Sequence, residues 1–158
     1  MTNPVTFQRW AGISLLGRVL LSAIFIISGL SKIGNFGATR DLLVSHGVPV
    51  AGLFVFLSLV IEVAAGVLVL IGLQGRISAM ILMAYLIPVT LVMHNFWAYV
   101  GPEHQMQLVN FLKNISIMGG LSQIAAMGPG PISIDQSRYH RGWSSDARDP
   151  SSRLRRVS

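Results

Sequence analysis

The chain has 158 residues, of which 52% are apolar and 11% are charged, and its formal net charge is +6. Soluble domains carry roughly 25% charged residues, so this composition excludes an ordinary water-soluble protein. The sequence has no cysteine, which excludes a disulfide, a thiolate metal site and a cysteine nucleophile.

Four apolar runs follow one another along the chain, each near or above the roughly 20 residues that cross a bilayer core. They predict transmembrane helices at residues 11–31, 48–73, 77–100 and 108–128. Polar loops are expected at 32–47 and 101–107, and a tight turn at 74–76 makes the second and third helices antiparallel neighbours. The predicted fold class is all-α integral membrane, a four-transmembrane-helix antiparallel bundle.

The distribution of lysine and arginine predicts the orientation. Arg9, Arg76 and six tail arginines share one side of the membrane, whereas Lys32 and Arg40 lie on the other. Both termini are therefore expected in the cytoplasm (N-in/C-in). The first apolar run is too long for a signal peptide and has no small-residue cleavage site after it, so we interpret it as a retained helix.

The chain divides into a transmembrane domain, residues 1–135, and a basic tail, residues 136–158, expected to be flexible and cytoplasmic. The tail holds six arginines and two aspartates, so it supplies most of the net positive charge. No nucleic-acid motif accompanies this charge. Anionic lipid headgroups are the expected partner of the tail, and the surface of a partner protein is the alternative.

Charged groups inside a spanning helix are costly, so each one is a candidate for function. Arg18, Glu62, His94 and Lys113 fall one in each predicted helix. From their depths we expect Arg18 and Glu62 to form a structural pair of buried charges near the middle of the membrane. Lys32 is expected to extend towards the interface as an interfacial residue.

A second polar group is expected nearer the outer surface, where His94, Lys113 and Asn114 would form a pocket beside Trp97. These four residues are the predicted cofactor-binding set. Structural roles are the alternatives to binding. His94 would then have its hydrogen bonds satisfied within the protein, and Lys113 would extend its ammonium to the membrane surface. A single intramembrane histidine argues against haem with two axial histidines, and the methionines are typical of packing rather than metal binding.

An ordered set of short motifs spans residues 11–135. In chain order it comprises Arg18, Phe25-x-x-Ser28-Gly29-x-x-Lys32-Ile33, Gly47-Val48-Pro49, Glu62, Gly66, His94-x-Phe96-Trp97, Gln107-x-x-x-Phe111-x-Lys113-Asn114, Gly119-Gly120 and Gly128-x-Gly130-x-x-Ser133-x-Asp135. In this set the chain resembles the DoxX family of small four-helix bacterial membrane proteins. The resemblance implies a multi-pass protein of the bacterial inner membrane.

The family is named for small subunits similar to those of a thiosulfate:quinone oxidoreductase, and most members have no defined activity. The resemblance therefore implies a subunit of a redox complex, in which Trp97 and Phe96 could stack on a quinone ring. His94 or Lys113 could then hydrogen-bond a quinone oxygen.

Two other functions stay open: a non-catalytic accessory or assembly subunit of a larger membrane complex, and a small transporter. No motif in the sequence indicates an independent catalytic site. A redox role would therefore need a partner protein that carries a cofactor.

Overall fold

The computed structural model describes residues 4–139, with side chains from residue 11 onward. Within this range the chain is helical and contains no strand. The helices are α1 (Pro4–Gly34), α2 (Phe36–Ser45), α3 (Ala51–Ile71), α4 (Gly75–Met93) and α5 (Gly101–Met127), with one 3-10 turn at Phe96–Ala98. Residues 134–139 are also helical. Most of the predicted flexible tail, residues 140–158, lies outside the described range.

Three stretches are long and apolar enough to cross a membrane: Ala11–Gly34, Ala51–Ile71 and Gly75–Ala98. The all-helical membrane class is therefore confirmed. Helix α5 is long enough but does not belong to this set, and its first half carries Glu103, His104 and Gln107. The fourth spanning helix stays a prediction.

Contacts between the long helices show that they alternate in direction. On α1, Arg18 reaches Leu70 near the end of α3, whereas Lys32 reaches Glu62 farther back along α3. A three-residue turn joins α3 to α4, and the α4–α5 contacts continue the alternation. We call the end that holds residues 71–76 and 128–135 the tail end, and the end that holds residues 45–50 and 94–101 the loop end.

Glycine permits close packing of α1 against α3. A Cβ atom at Gly29 would lie 2.7 Å from a methyl group of Val63, and one at Gly66 would lie 3.0 Å from Ile26. Small residues at helix interfaces are typical of membrane proteins, where backbones gain dispersion contacts by close approach. The buried apolar cluster behind this contact consists of Phe25, Ala65, Val69, Ala79, Leu82, Leu86 and Leu121.

Two predicted loops are wrong in detail. The segment at 32–47 contains the end of α1 and all of α2, a short helix with no buried residue. The segment at 101–107 is the first part of α5, which carries Pro102 in its first turn, where proline favours a helix start. The polar composition of both segments predicted loops. Both are nevertheless helical, because a helix that is not embedded in a core needs no apolar stripe.

Candidate functional site

A polar cluster lies between α1, α3 and α4, and we call Lys32, Glu62 and Tyr85 the buried triad. The Lys32 ammonium donates to Glu62 Oε2 over 2.6 Å, and the Tyr85 hydroxyl donates to Glu62 Oε1 over 2.6 Å. Lys32 also donates to the Ser28 hydroxyl at 3.0 Å. Glu62 is 5% exposed, so its charge is compensated by two donors rather than by water.

The expected pair of Arg18 and Glu62 is wrong, although both side chains are buried, at 3% and 5% exposure. Arg18 instead donates to three backbone carbonyls: Leu70 at 3.0 Å, and Pro129 and Ile132 at 2.5 Å each. Leu70 lies eight residues from Glu62 on α3, which is about 12 Å of helix. Lys32, expected at the interface, takes the place that was predicted for Arg18.

The tail end is closed by the segment 128–135, which folds back across the turn between α3 and α4. Asp135 accepts the backbone N–H groups of Gln74 and Gly75, both at 2.9 Å, and so caps the first turn of α4. The backbone N–H of Asp135 donates to the carbonyl of Gly72 at 3.0 Å. Together with Arg18, these bonds fasten the segment to three helices.

At the loop end, His94 belongs to a polar chain that connects α4 to α5. Its Nδ1 donates to Gln107 Oε1 at 2.9 Å, because an amide oxygen only accepts, and Gln107 Nε2 donates to Glu103 at 2.9 Å. This arrangement orients the imidazole ring.

The other two polar members of the predicted pocket have different partners. Asn114 is buried and donates to the Thr90 hydroxyl at 3.1 Å, which joins α5 to α4. Lys113 is exposed and donates to Asn110 on its own helix at 3.0 Å. His94, Asn114 and Lys113 therefore take part in three separate interactions.

Trp97 belongs to an aromatic cluster at the same end. Its ring meets Phe96 edge-to-face at 5.1 Å between centroids, and Phe96 meets Phe111 at 5.3 Å. His104 packs against Phe96 and hydrogen-bonds the Phe96 carbonyl at 2.9 Å. Trp97 as a whole residue is 58% exposed, so it is accessible to a further ring.

An open cavity of about 440 Å³ lies beside this cluster, between the end of α2 and the end of α4. We call it the loop-end cavity, and its walls are formed by Ser45, His46, Leu91, Val92, Asn95, Trp97 and Tyr99. Trp97 is the one member of the predicted cofactor-binding set in these walls. The sequence interpretation missed His46 and Asn95, since nothing in the pattern indicated that α2 lies against the end of α4.

Two polar atoms of the cavity walls are buried and have no hydrogen-bond partner within the described residues, His46 Nε2 and Asn95 Oδ1. The Nδ1 of His46 lies 2.9 Å from the Leu42 carbonyl and must donate to it. In the neutral imidazole Nε2 is then an acceptor, as is Asn95 Oδ1. Buried acceptors are normally paired, so these two could accept from a donor in the cavity.

Comparison with known proteins decides the family. The DoxX family model matches residues 13–95, which is more than half of the chain. The chain belongs to the DoxX family. The buried triad and Arg18 all lie within the matched region, as do His46 and Asn95, whereas Trp97 and α5 lie beyond it.

Curated relatives of this DoxX-family chain include two proteins of Escherichia coli (strain K12). The inner membrane protein YphA is 33% identical over 122 residues, 77% of this chain and 87% of the relative. The inner membrane protein YqjF is 29% identical over 122 residues, 77% of this chain and 88% of the relative. With three candidate spanning helices, these relatives identify a multi-pass protein of the bacterial inner membrane.

A more distant similarity reaches eukaryotes. The Surfeit locus protein 4 homolog of Schizosaccharomyces pombe is 27% identical over 126 residues, which are 78% of this chain and 37% of the relative. No solved structure matches the chain.

Among the described residues, no group of three or more His, Asp or Glu side chains could hold a metal ion. The arrangement offers hydrogen-bonding groups and aromatic rings. The loop-end cavity combines both kinds of group.

Proposed function

We propose that this DoxX-family protein is a subunit of a membrane redox complex and contacts quinone at the loop-end cavity. One observation carries the proposal: His46 and Asn95, whose buried Nε2 and Oδ1 atoms have no partner among the described residues, line a cavity that also presents Trp97. The proposal keeps the ring-stacking role of Trp97 that the sequence predicts.

The chemistry of the cavity fits the reduced form of the ligand. A quinol carries two O–H donors, and each unpaired acceptor could receive one of them after a small side-chain movement. Trp97 and Tyr99 supply aromatic faces or edges for the ring. A volume of about 440 Å³ lies within the range of small-molecule sites, roughly 300–1,000 Å³.

We place the electron carrier for quinone chemistry at this cavity on another protein. The sequence has no cysteine, and no described residue group could hold a metal. The proposed subunit would therefore bind and orient the quinone, while a partner with its own cofactor exchanges the electrons.

The proposal includes the topology predicted from the sequence. We propose that α5 is the fourth spanning helix and that both termini lie in the cytoplasm, so that the loop end faces outward. Support comes from the alternating directions of the long helices and from Arg76, which lies at the tail end, as the positive-inside rule expects. Asn114 and Thr90 would then be bonded to each other inside the membrane, each satisfied by the other.

An accessory subunit is the second candidate, and the buried triad favours it. Both carboxylate oxygens of Glu62 are occupied by donors from other helices. A polar cluster whose members satisfy one another acts as a fastener between helices and needs no ligand. On this alternative the protein stabilises or assembles a larger complex.

Quinol binding by the purified full chain tests the proposal. The chain would be placed in lipid nanodiscs, and quinol affinity would be measured for wild type, His46→Ala and Asn95→Ala. The matched control is Ser116→Ala, because Ser116 is exposed and, among the described residues, bonds only to its own helix. Loss of one hydrogen bond predicts about five- to tenfold weaker binding for each cavity variant, and no change for the control.

Two further variants locate the site. Loss of binding in His94→Ala and Lys113→Ala, with His46→Ala unaffected, would move the quinone to the pocket predicted from the sequence. If the wild-type chain binds no quinol, the redox function is contradicted. Purification with a large complex would then favour the accessory role.

A further inference from the structure

A second cavity, of about 580 Å³, opens at the tail end between the start of α4 and the segment 128–139. We call it the tail-end cavity. We propose that it binds the phosphate of an anionic phospholipid headgroup through Arg76. This site is separate from the loop-end cavity, at the opposite end of the helices, and does not depend on the quinone proposal.

Arg76 is a cation without a partner in the described part of the chain. Within residues 4–139 its guanidinium has no hydrogen bond and no ion pair, and the side chain is exposed. It lies close over Gly128, where a Cβ atom would be 3.4 Å from Nε and 3.6 Å from Nη2. Glycine at this position therefore lets the guanidinium lie against the backbone at the cavity wall.

The acidic residue in the same wall, Asp135, forms no ion pair with Arg76 in the described part of the chain. Both carboxylate oxygens of Asp135 accept backbone N–H groups, from Gln74 and Gly75, at 2.9 Å each. Asp135 therefore caps the first turn of α4 with both carboxylate oxygens. The tail-end cavity presents a positive charge whose planar fork of donors suits a phosphate.

The position of the cavity favours a lipid as the source of the phosphate. Arg76 is the second residue of the candidate span Gly75–Ala98, which puts it at headgroup depth. Two apolar residues of the wall, Ile77 and Met127, are 51% and 78% exposed. A cation beside exposed apolar side chains matches a headgroup with its attached acyl chains, whereas a free phosphate would use only the cation.

Lipid titration of the full chain in detergent tests the proposal. Native mass spectrometry would measure the apparent affinity for phosphatidylglycerol and for zwitterionic phosphatidylcholine. The variants are Arg76→Gln, which removes the charge, and Arg76→Lys, which keeps the charge but loses the fork. Arg40→Gln is the matched control, because Arg40 is an exposed arginine at the loop end that is paired with Asp41.

We expect phosphatidylglycerol to bind about tenfold more weakly to Arg76→Gln, and to bind Arg40→Gln as it binds wild type. The affinity of Arg76→Lys for phosphatidylglycerol should lie between those of Arg76→Gln and wild type. If Arg76→Gln does not fold, Arg76→Lys provides the test by itself. The tail arginines are present in every variant, so they add an equal background.

Equal affinity of wild type and Arg76→Gln for phosphatidylglycerol would overturn the site, and so would equal affinity of wild type for the two lipids. Inorganic phosphate is the remaining probe. If it displaced phosphatidylglycerol at equal concentration, the cavity would recognise free phosphate, and the lipid assignment would be overturned.

Discussion

Lys32 and Glu62 form an ion pair of 2.6 Å between α1 and α3, within two helices that are apolar enough to span a membrane. Both side chains are largely buried, at 16% and 6% exposure. The pair lies where Gly29 brings the two helices into close contact. A charge pair placed where two helices pack closely fixes their register, because a shift along the axis would separate the charges.

Breaking this pair from one side should be costly. We expect Lys32→Ala and Glu62→Ala each to lower the free energy of unfolding by about 3–5 kcal/mol, since the remaining charge stays buried without a partner. The double variant should lose less than the sum of the two. These values are measured by raising the concentration of a denaturing detergent and monitoring unfolding by circular dichroism.

Arg40→Ala is the control for that experiment, because it breaks the exposed pair of Arg40 with Asp41. Exposed pairs contribute about 0–1 kcal/mol, so a small change is expected. If Lys32→Ala and Glu62→Ala lowered the free energy of unfolding no more than Arg40→Ala does, the importance of the buried pair would be contradicted.

The tyrosine of the buried triad gives a second prediction. Tyr85→Phe removes only the hydroxyl that donates to Glu62 at 2.6 Å. We expect a loss of about 2 kcal/mol in the free energy of unfolding, the range for a hydrogen bond to a charged group. In a Glu62→Ala background the same change should be nearly neutral. An equal loss in both backgrounds would show that the hydroxyl acts through another partner.

The sequence predicted the long helices but not which charges meet. Apolar runs indicate spanning helices directly, because a bilayer excludes unpaired backbone groups. The pairing of Arg18 with Glu62 was inferred from depth, and that estimate placed Arg18 too close to the middle of α3. In the structure Arg18 lies level with Leu70, and only Lys32 is level with Glu62.

The partners of Arg18 show why the contacts at the two ends of the helices could not be predicted. Two of its three acceptors, the carbonyls of Pro129 and Ile132, are more than a hundred residues away in the chain. Backbone carbonyls leave no signature in a sequence, unlike an acidic side chain. The same limit hid the loop-end cavity, because His46 and Asn95 come together only through the placement of α2.

Arg18 should be irreplaceable even by lysine. Its guanidinium reaches three carbonyls on two segments, α3 and 128–135, and a lysine ammonium cannot match that planar fork. We expect Arg18→Lys to loosen the segment 128–135, with about tenfold or faster hydrogen exchange at the Asp135 amide, which is bonded to Gly72. Mass spectrometry of exchanged peptides provides the measurement. Arg40→Lys should leave that amide unchanged, and equal exchange in wild type and Arg18→Lys would contradict the fastening role.

Gly72 and Gly17 form a matched pair of glycines for the last prediction. Gly72 ends α3 with φ of +66°, and the Leu73 amide reaches back to the Leu68 carbonyl at 3.0 Å, as in a Schellman motif. A Cβ atom there would overlap Ser133 and press on Arg18, whereas one at Gly17 would meet nothing within 4 Å.

We therefore expect opposite effects from the same substitution. Gly72→Ala should lower the free energy of unfolding by about 2 kcal/mol or more, from the left-handed backbone and the overlap together. Gly17→Ala should raise it by about 0.5–1 kcal/mol, because alanine restricts the unfolded chain in a helix that has room for it. Thermal unfolding of both variants in one detergent decides the matter. Shifts of the same sign and size would mean that the segment 128–135 does not pack against the end of α3, and the closure of the tail end would have to be abandoned.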